Sequence, residues 1–514
     1  MAGTLLLLRL DLRRDRVLAV AGASAFALMT YVSASATGAL FDTPEERLRV
    51  ASSLNGQPGL LALYGPILDP TSRGELAMSK LTVLYALLST VLYVAVLRRH
   101  TRTEEETGRA ELVAGTAVGR NAPLAAAGLE CCLLAAAVGA CVAAAAIAGG
   151  LPVAGSCWFG ASWTGTGLVA TGLAAVACQV SPSARTCGSV AAGLLAGVFV
   201  LRAVGDAVGV LHWWSWMSPL GWNTKLRAWS GPRPWVGGLY LVLTTGLLAL
   251  AQLMRSRRDL GSGLLAERSG PTSGRLSGPW SLVLRLHRTS LVVWTVGVGG
   301  FAGSFGVMAP GFDDLLGEGA GAELVDRLGG AFIAAVLPVL AMVITAFPLV
   351  VMGSAQRDEE AGRLGWVLSA ATSRSRWLAA TTTMAAVGSA WLLLAAGLAL
   401  AGGYAAAGGD EAVQAVPAAI GWLPAVLVVA SAAFAGLTYG LGWLGWSTLA
   451  GASVLALVGE LAALPQWCVR LSPFATTSPF PAGDWRWSPL LAWAGVAAVI
   501  TTLAWRRFLR RDLP

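Results

Sequence analysis

The chain has 514 residues, of which 55% are apolar and 12% charged, with a formal net charge of +8. Soluble domains carry roughly 45 to 50% apolar and roughly 25% charged residues, so this composition excludes a soluble globular protein and indicates a multi-pass membrane protein. The basic excess does not indicate nucleic acid, because the arginines fall in short islands between apolar runs long enough to cross a bilayer.

Leu5 to Arg16 masses leucines at its start and arginines toward its end, which predicts a short helix lying on the inner membrane surface. The run 17–40 follows. Arg13, Arg14 and Arg16 before it and Ser33-Ala34-Ser35-Ala36 near its end give it the outline of a signal peptide, but its length and the many runs after it make it an uncleaved first span. Further runs of the first half cover 76–97, 122–148, 158–180, 186–205 and 236–254. Residues 261–280 are rich in Gly, Ser and Pro, as expected of a cytoplasmic linker. The second half repeats the plan at 290–309, 331–355, 377–401, 420–439, 445–465 and 489–505, after a basic stretch at Leu282 to Arg288. The expected fold is an all-α membrane protein of about twelve transmembrane helices, arranged as two tandem six-helix repeats over residues 1–260 and 281–514. Most of the 36 basic residues fall on one side, which by the positive-inside rule puts both termini in the cytoplasm.

The two halves share more than hydropathy. Glu105-Glu106-Thr107-Gly108-Arg109 returns as Glu359-Glu360-Ala361-Gly362-Arg363, offset by 254. The same offset carries Arg120 to Arg374, Ser218-Pro219 to Ser472-Pro473 and Asp206 to an acid, Glu460. An offset of 253 carries Arg257-Arg258-Asp259-Leu260 to Arg510-Arg511-Asp512-Leu513. This is an internal duplication of a multi-helix unit. Each half also places tryptophans before its last span, Trp213 to Trp235 and then Trp467, Trp485 and Trp487, as an aromatic cap at the outer interface.

The pentad is the candidate contact element. On a continuous helix Glu105 would bridge Arg109 and Glu359 would bridge Arg363 at i,i+4, leaving Glu106 and Glu360 free, while Gly108 and Gly362 would bare the backbone to an approaching surface. A surface ion pair contributes about 0.3 to 0.5 kcal/mol, too little to explain its presence in both halves, so recognition of a partner is the better account. Neither Lys80 nor Lys225, the two lysines, ends a glycine-rich phosphate loop, so the chain cannot itself be an ATPase of that kind.

A Glu-Glu-x-Gly-Arg helix after the second span of a six-span unit resembles the permeases of ABC-2 type exporters. The strings 102–113 and 357–368, with Leu63-Tyr64-Gly65-Pro66 in the first outer loop, resemble the fused two-half permeases of actinobacterial polyketide antibiotic export, tetronasin among them. The resemblance implies a coupling role for Glu105, Glu106, Gly108, Arg109, Glu111, Glu359, Glu360, Gly362 and Arg363. It also implies two copies of a nucleotide-binding subunit carrying ATP and Mg, no cofactor on this chain, a bacterial cell-membrane location and export of hydrophobic or amphipathic small molecules. Gly365 stands where the first copy has Glu111, so the two contact elements are expected to be unequal.

Charges inside spans cost about 2.5 to 3.5 kcal/mol each and mark candidates for the substrate path: Glu130, Asp206 with Arg202 one turn before it, and Glu460. Cys131, Cys132, Cys141, Cys178 and Cys187 lie in or beside spans without metal spacing, so no metal site is expected. Two other classes stay open. A secondary drug transporter also has twelve spans in two repeats. A membrane enzyme would have to work with His100, His212 and His287, which form no catalytic pattern in the sequence.

Overall fold

The structure is a computed structural model that describes residues 3–40, 43–56, 61, 64–207, 211–259, 261–264, 277–317, 331–370, 372–408, 412–458, 465–477 and 485–511. Among these residues all regular structure is helical, and eleven helices are long and apolar enough to cross a membrane. The run expected at 445–465 appears as the shorter apolar helix Leu444–Val458, with 459–464 outside the described residues. The chain divides into two compact units, Met1–Gly270 and Pro271–Pro514.

In the first unit the spanning helices are Thr4–Leu40, Arg73–Glu106, Ala122–Ala148, Val153–Val180, Ala184–Ala207 and Pro234–Ser256. The expected separate surface helix at Leu5 to Arg16 is instead the first part of Thr4–Leu40, because no Gly or Pro interrupts the sequence between them. Likewise Leu282 to Arg288 belongs to the continuous helix Pro279–Gly317 of the second unit. Ser72 starts the second span by accepting the Glu75 amide on its hydroxyl. That span carries two π-helical stretches, Leu81–Tyr85 and Arg99–Thr103, and the second of them turns His100 and Arg102 inward.

Small residues set how closely the helices pack. A Cβ on Gly139 would fall 2.5 Å from the Gly160 carbonyl, and one on Gly160 would fall 2.4 Å from the Gly139 carbonyl. Helices Ala122–Ala148 and Val153–Val180 therefore touch backbone to backbone, as small-residue seams allow in lipid. Tyr93 fills the space beside Gly167, and the Trp229 ring lies against both Gly74 and Gly155.

The second unit contains Pro279–Gly317, Ala331–Glu360, Arg374–Ala406, Leu423–Tyr439 and Trp487–Arg510. Pro338 and Pro348 are accommodated inside Ala331–Glu360. Gly306 and Gly403 form a seam between Pro279–Gly317 and Arg374–Ala406, and Phe347 occupies the notch at Gly388. Rows of exposed apolar side chains such as Val292, Val293 and Val296 face outward, where lipid rather than water is their compatible solvent.

The duplication reaches individual hydrogen bonds. Ser218 donates its hydroxyl to the Val198 carbonyl at 2.7 Å, and Ser472 donates to the Ala452 carbonyl at 2.7 Å. In the first aromatic cap, Trp214–Met217 and Gly221–Lys225 are two short helices rather than one element, and Trp216 stacks on Trp235. Its counterpart is the pair Gln466–Val469 and Pro473–Thr476.

Candidate functional site

Each pentad is broken at its glycine. Gly108 has φ 73° and Gly362 has φ 71°, a left-handed turn that ends one helix and starts the next at Arg109 or Arg363. Added Cβ atoms would meet nothing within 4 Å at either position, so backbone conformation alone selects glycine there. This break overturns the i,i+4 pairing expected for an unbroken helix. Arg109 lies 3.8 Å from Glu104, and Arg363 pairs with Asp358 at 2.8 Å, in both cases five residues back across the turn. Glu106 and Glu360 are not free either: Glu106 accepts the Ala184 amide at 2.5 Å, and Glu360 accepts from Gln356 at 2.8 Å.

The buried member of each pentad is its first glutamate. The Glu105 carboxylate meets Arg102 at 2.7 Å, Arg258 at 2.9 Å and Arg255 at 3.4 Å, with each of these side chains at most 6% exposed. Arg102 also donates to the Cys178 carbonyl, and Arg258 donates to the Gln179 side chain at 2.9 Å. Arg120 closes the ring by donating to the Arg258 carbonyl at 2.6 Å. The node thus ties the loop after the second span to the C-terminal ends of the fourth and sixth spans.

The second unit builds the same node with fewer charges. Glu359 meets Arg511 at 2.5 Å, and Arg374 donates to the Arg511 carbonyl at 2.9 Å. At the positions equivalent to Arg102 and Arg255 stand Gln356 and Phe508, and Phe508 stacks on Trp377. The expected inequality of the two contact elements therefore has its physical basis in the node, besides the exchange of Glu111 for Gly365.

Beyond each glycine a short helix, Arg109–Ala114 or Arg363–Ser369, faces outward. Leu112 is 77% exposed and Trp366 is 84% exposed, and the two positions are related by the 254-residue offset. Sequence reading missed this pair because leucine and tryptophan are unlike each other and the charged pentad dominates the stretch. Arg109, Glu111 and Arg363 are exposed beside them.

The substrate-path candidates separate in the structure. Arg202 and Asp206 form the expected pair at 3.0 Å, fully buried. Lys225 lies near them over the Trp216 ring, and burial pushes its ammonium below the usual lysine range while the Asp206 carboxylate opposes that fall. Glu460 lies outside the described residues. Glu130 is buried beside His100, in a polar group separate from Arg202 and Asp206. A cavity of about 530 Å³ in the second unit was not foreseen. Thr382, Thr383, Ser431, Phe434, Thr501 and Thr502 line it among alanines, with no charged residue.

A family model described as "Multidrug efflux system permease Rv1217c, C-terminal domain" matches residues 276–509. The chain is 37% identical to the multidrug efflux system permease protein Rv1217c of Mycobacterium tuberculosis over 532 aligned residues, covering 99% of this chain and 95% of that protein.

Proposed function

The chain belongs to the multidrug efflux permease family, and we propose that it is the membrane subunit of an ABC-2 type exporter close to the tetronasin-like fused permeases. In this reading two nucleotide-binding subunits, carrying ATP and Mg, dock from the cytoplasm on the loops after the second and eighth spans. Both termini face the cytoplasm, and hydrophobic or amphipathic compounds leave across the bacterial cell membrane. The observation that carries the proposal is the repeated architecture of the loops: a buried glutamate clamped to the last span, a left-handed glycine, and an outward helix bearing Leu112 or Trp366.

The clamp gives the mechanism its physical content. Glu105 and Glu359 hold each loop rigidly to its own bundle, so a push on the outward helix reaches the spans instead of bending the loop. Arg109 and Arg363 fix the turn by pairing across the glycine. Glu106, Gly108, Glu111, Glu360 and Gly362 shape the same surface. Reversing an inward-to-outward equilibrium from 1:99 to 99:1 needs about 5.5 kcal/mol of differential binding, which partner closure on ATP would supply. Arg202 and Asp206 form a buried polar element on the outer part of the route, with Glu460 proposed as its counterpart. The 530 Å³ cavity is drug-sized, and its apolar, hydroxyl-bearing wall suits an uncharged compound.

Reconstitution tests the proposal. Vesicles holding the chain and the nucleotide-binding subunit should transport dye only with ATP, and the chain alone should hydrolyse none. Transport driven by a proton gradient without the partner would establish the secondary-transporter reading instead.

A further inference from the structure

At the inner end of the first unit, three helices bring together ionisable side chains that the proposed export cycle leaves without a task. Asp11 and Asp15 lie one turn apart on Thr4–Leu40, His100 sits on the π-helical stretch Arg99–Thr103, and Glu130 comes from Ala122–Ala148. All four are buried, at 7%, 2%, 5% and 3% exposure. The sequence hid the group because its members are spread over residues 11 to 130 with no recurring interval.

The geometry assigns the imidazole two different faces. Nε2 lies 2.8 Å from the Asp15 carboxylate, which Arg99 also engages, and a proton held there leaves Nδ1 as the nitrogen available to a ligand. Nδ1 is 3.0 Å from Asp11 Oδ1 yet makes no hydrogen bond, because the ring N–H direction misses that oxygen. Glu130 Oε2, 3.6 Å from Nε2, also has no hydrogen-bond partner. Three carboxylates thus crowd one imidazole and one guanidinium in a buried setting, and two buried polar atoms, His100 Nδ1 and Glu130 Oε2, are left without a hydrogen bond. Such an arrangement is costly unless a cation joins it.

An ion fits where an aligned proton does not. Bonds of about 2.1 Å to atoms 3.0 Å apart subtend roughly 90° at a metal, with the ion off the N···O line. One ligand atom from each of Asp11, His100 and Glu130 lies within 4.8 Å of the others. We infer that these three residues bind one divalent transition-metal cation of the Zn²⁺ or Mn²⁺ class, with Asp15 as the positioning residue that orients the imidazole. The mixed nitrogen and oxygen donor set favours that class over Ca²⁺ and Mg²⁺. A cavity of about 70 Å³ against Asp11 and His100 gives access, and Glu104, Glu105 and Arg255 line the same cavity, so the ion would sit next to the loop node. In the second unit the positions matching His100 and Glu130 are Ser354 and Met384, and His287 approaches Ser354 at 3.3 Å. One ion per chain is therefore expected.

The experiment uses the full chain in nanodiscs, stripped with a chelator and titrated with Co²⁺ as a visible-absorbing probe, with Zn²⁺ content measured by mass spectrometry. The expected result is one ion per chain, at least a hundredfold weaker binding in D11N and E130Q, and ten- to hundredfold weaker binding in D15N. H100Q should abolish the cobalt absorption band that reports nitrogen ligation. D11N and E130Q carry the test if H100Q does not fold, since both preserve shape and are checked by gel filtration. Wild-type protein that takes up no ion overturns the inference, as does unchanged affinity in both D11N and E130Q. A wild type that takes up no Co²⁺ or Zn²⁺ while its unfolding temperature follows pH, with that dependence lost in H100Q, assigns the site to a proton and overturns the inference equally.

Discussion

Glu105→Gln isolates the role of the clamp. The substitution keeps the side-chain volume but leaves Arg102, Arg255 and Arg258 facing one another with no carboxylate between them, all at most 6% exposed. Removing one partner from a buried ionic group costs about 3 to 5 kcal/mol, because the remaining charge stays desolvated. The loop amides of Thr107, Gly108 and Glu111 are bonded only within the loop region, to Thr103, Glu105 and Gly108. Their exchange protection should fall with the clamp, by on the order of 10²- to 10³-fold at about 1.4 kcal/mol per decade. In the second unit Glu359→Gln removes one hydrogen-bonded contact to an arginine that is 17% exposed, worth about 1.5 kcal/mol, so the amides of Gly362 and Gly365 should lose only about tenfold. Hydrogen–deuterium exchange of the two variants in detergent or nanodiscs reads both numbers. Equal losses in the two loops, or none in Glu105→Gln, would refute the reasoning that charge count sets the stiffness of each loop.

Trp366→Ala should leave insertion and melting temperature unchanged yet weaken binding of the nucleotide-binding subunit at least tenfold, with a smaller effect for Leu112→Ala; titration calorimetry or a pull-down with the defined subunit checks this. Gly108→Ala and Gly362→Ala should each cost about 1 to 2 kcal/mol through the left-handed turn alone, visible as lower ATPase stimulation with an intact fold. Gly155→Ala should lower thermal stability, because its Cβ would fall 2.2 Å from the Trp229 ring, and an overpacking cost of about 1 to 3 kcal/mol is expected by melting assay. Asn223→Leu should destabilise by a similar amount, since it strips partners from the Thr166 and Tyr240 hydroxyls and the Thr82 carbonyl at once.

The helices were readable because bilayer thickness fixes the length of an apolar run, and twenty such residues admit no other structure. The caps at Ser72 and Ser373 went unread, although each is a local side-chain to backbone bond. The pentad was readable as a repeated feature but not as a geometry. Treating Glu105 and Arg109 as i,i+4 neighbours assumed a continuous helix, whereas Gly108 takes a positive φ, a choice glycine permits without requiring it. The partners of Glu105 were out of reach for a different reason. Arg255 and Arg258 lie about 150 positions away, and nothing local says that the end of the sixth span returns to the loop after the second. The buried group of Asp11, His100 and Glu130 shares that cause. Arg202 and Asp206, by contrast, were visible because their partnership is a single helical turn.

The Gly139–Gly160 contact has a mechanical meaning besides close packing. Two helices joined backbone to backbone cannot slide or splay independently, so Val153–Val180, held at Gly160, moves together with Ala122–Ala148. Its C-terminal end is gripped at Cys178 and Gln179 by Arg102 and Arg258, and near its N-terminal end Gly155 bears on Trp229. The intervening 24 residues measure about 36 Å at 1.5 Å per residue. A tilt of about 5° of the joined pair about the gripped end would displace Gly155 by roughly 3 Å, the scale of half a ring width. A disturbance too small to reshape the loop after the second span would then be magnified where the tryptophans lie.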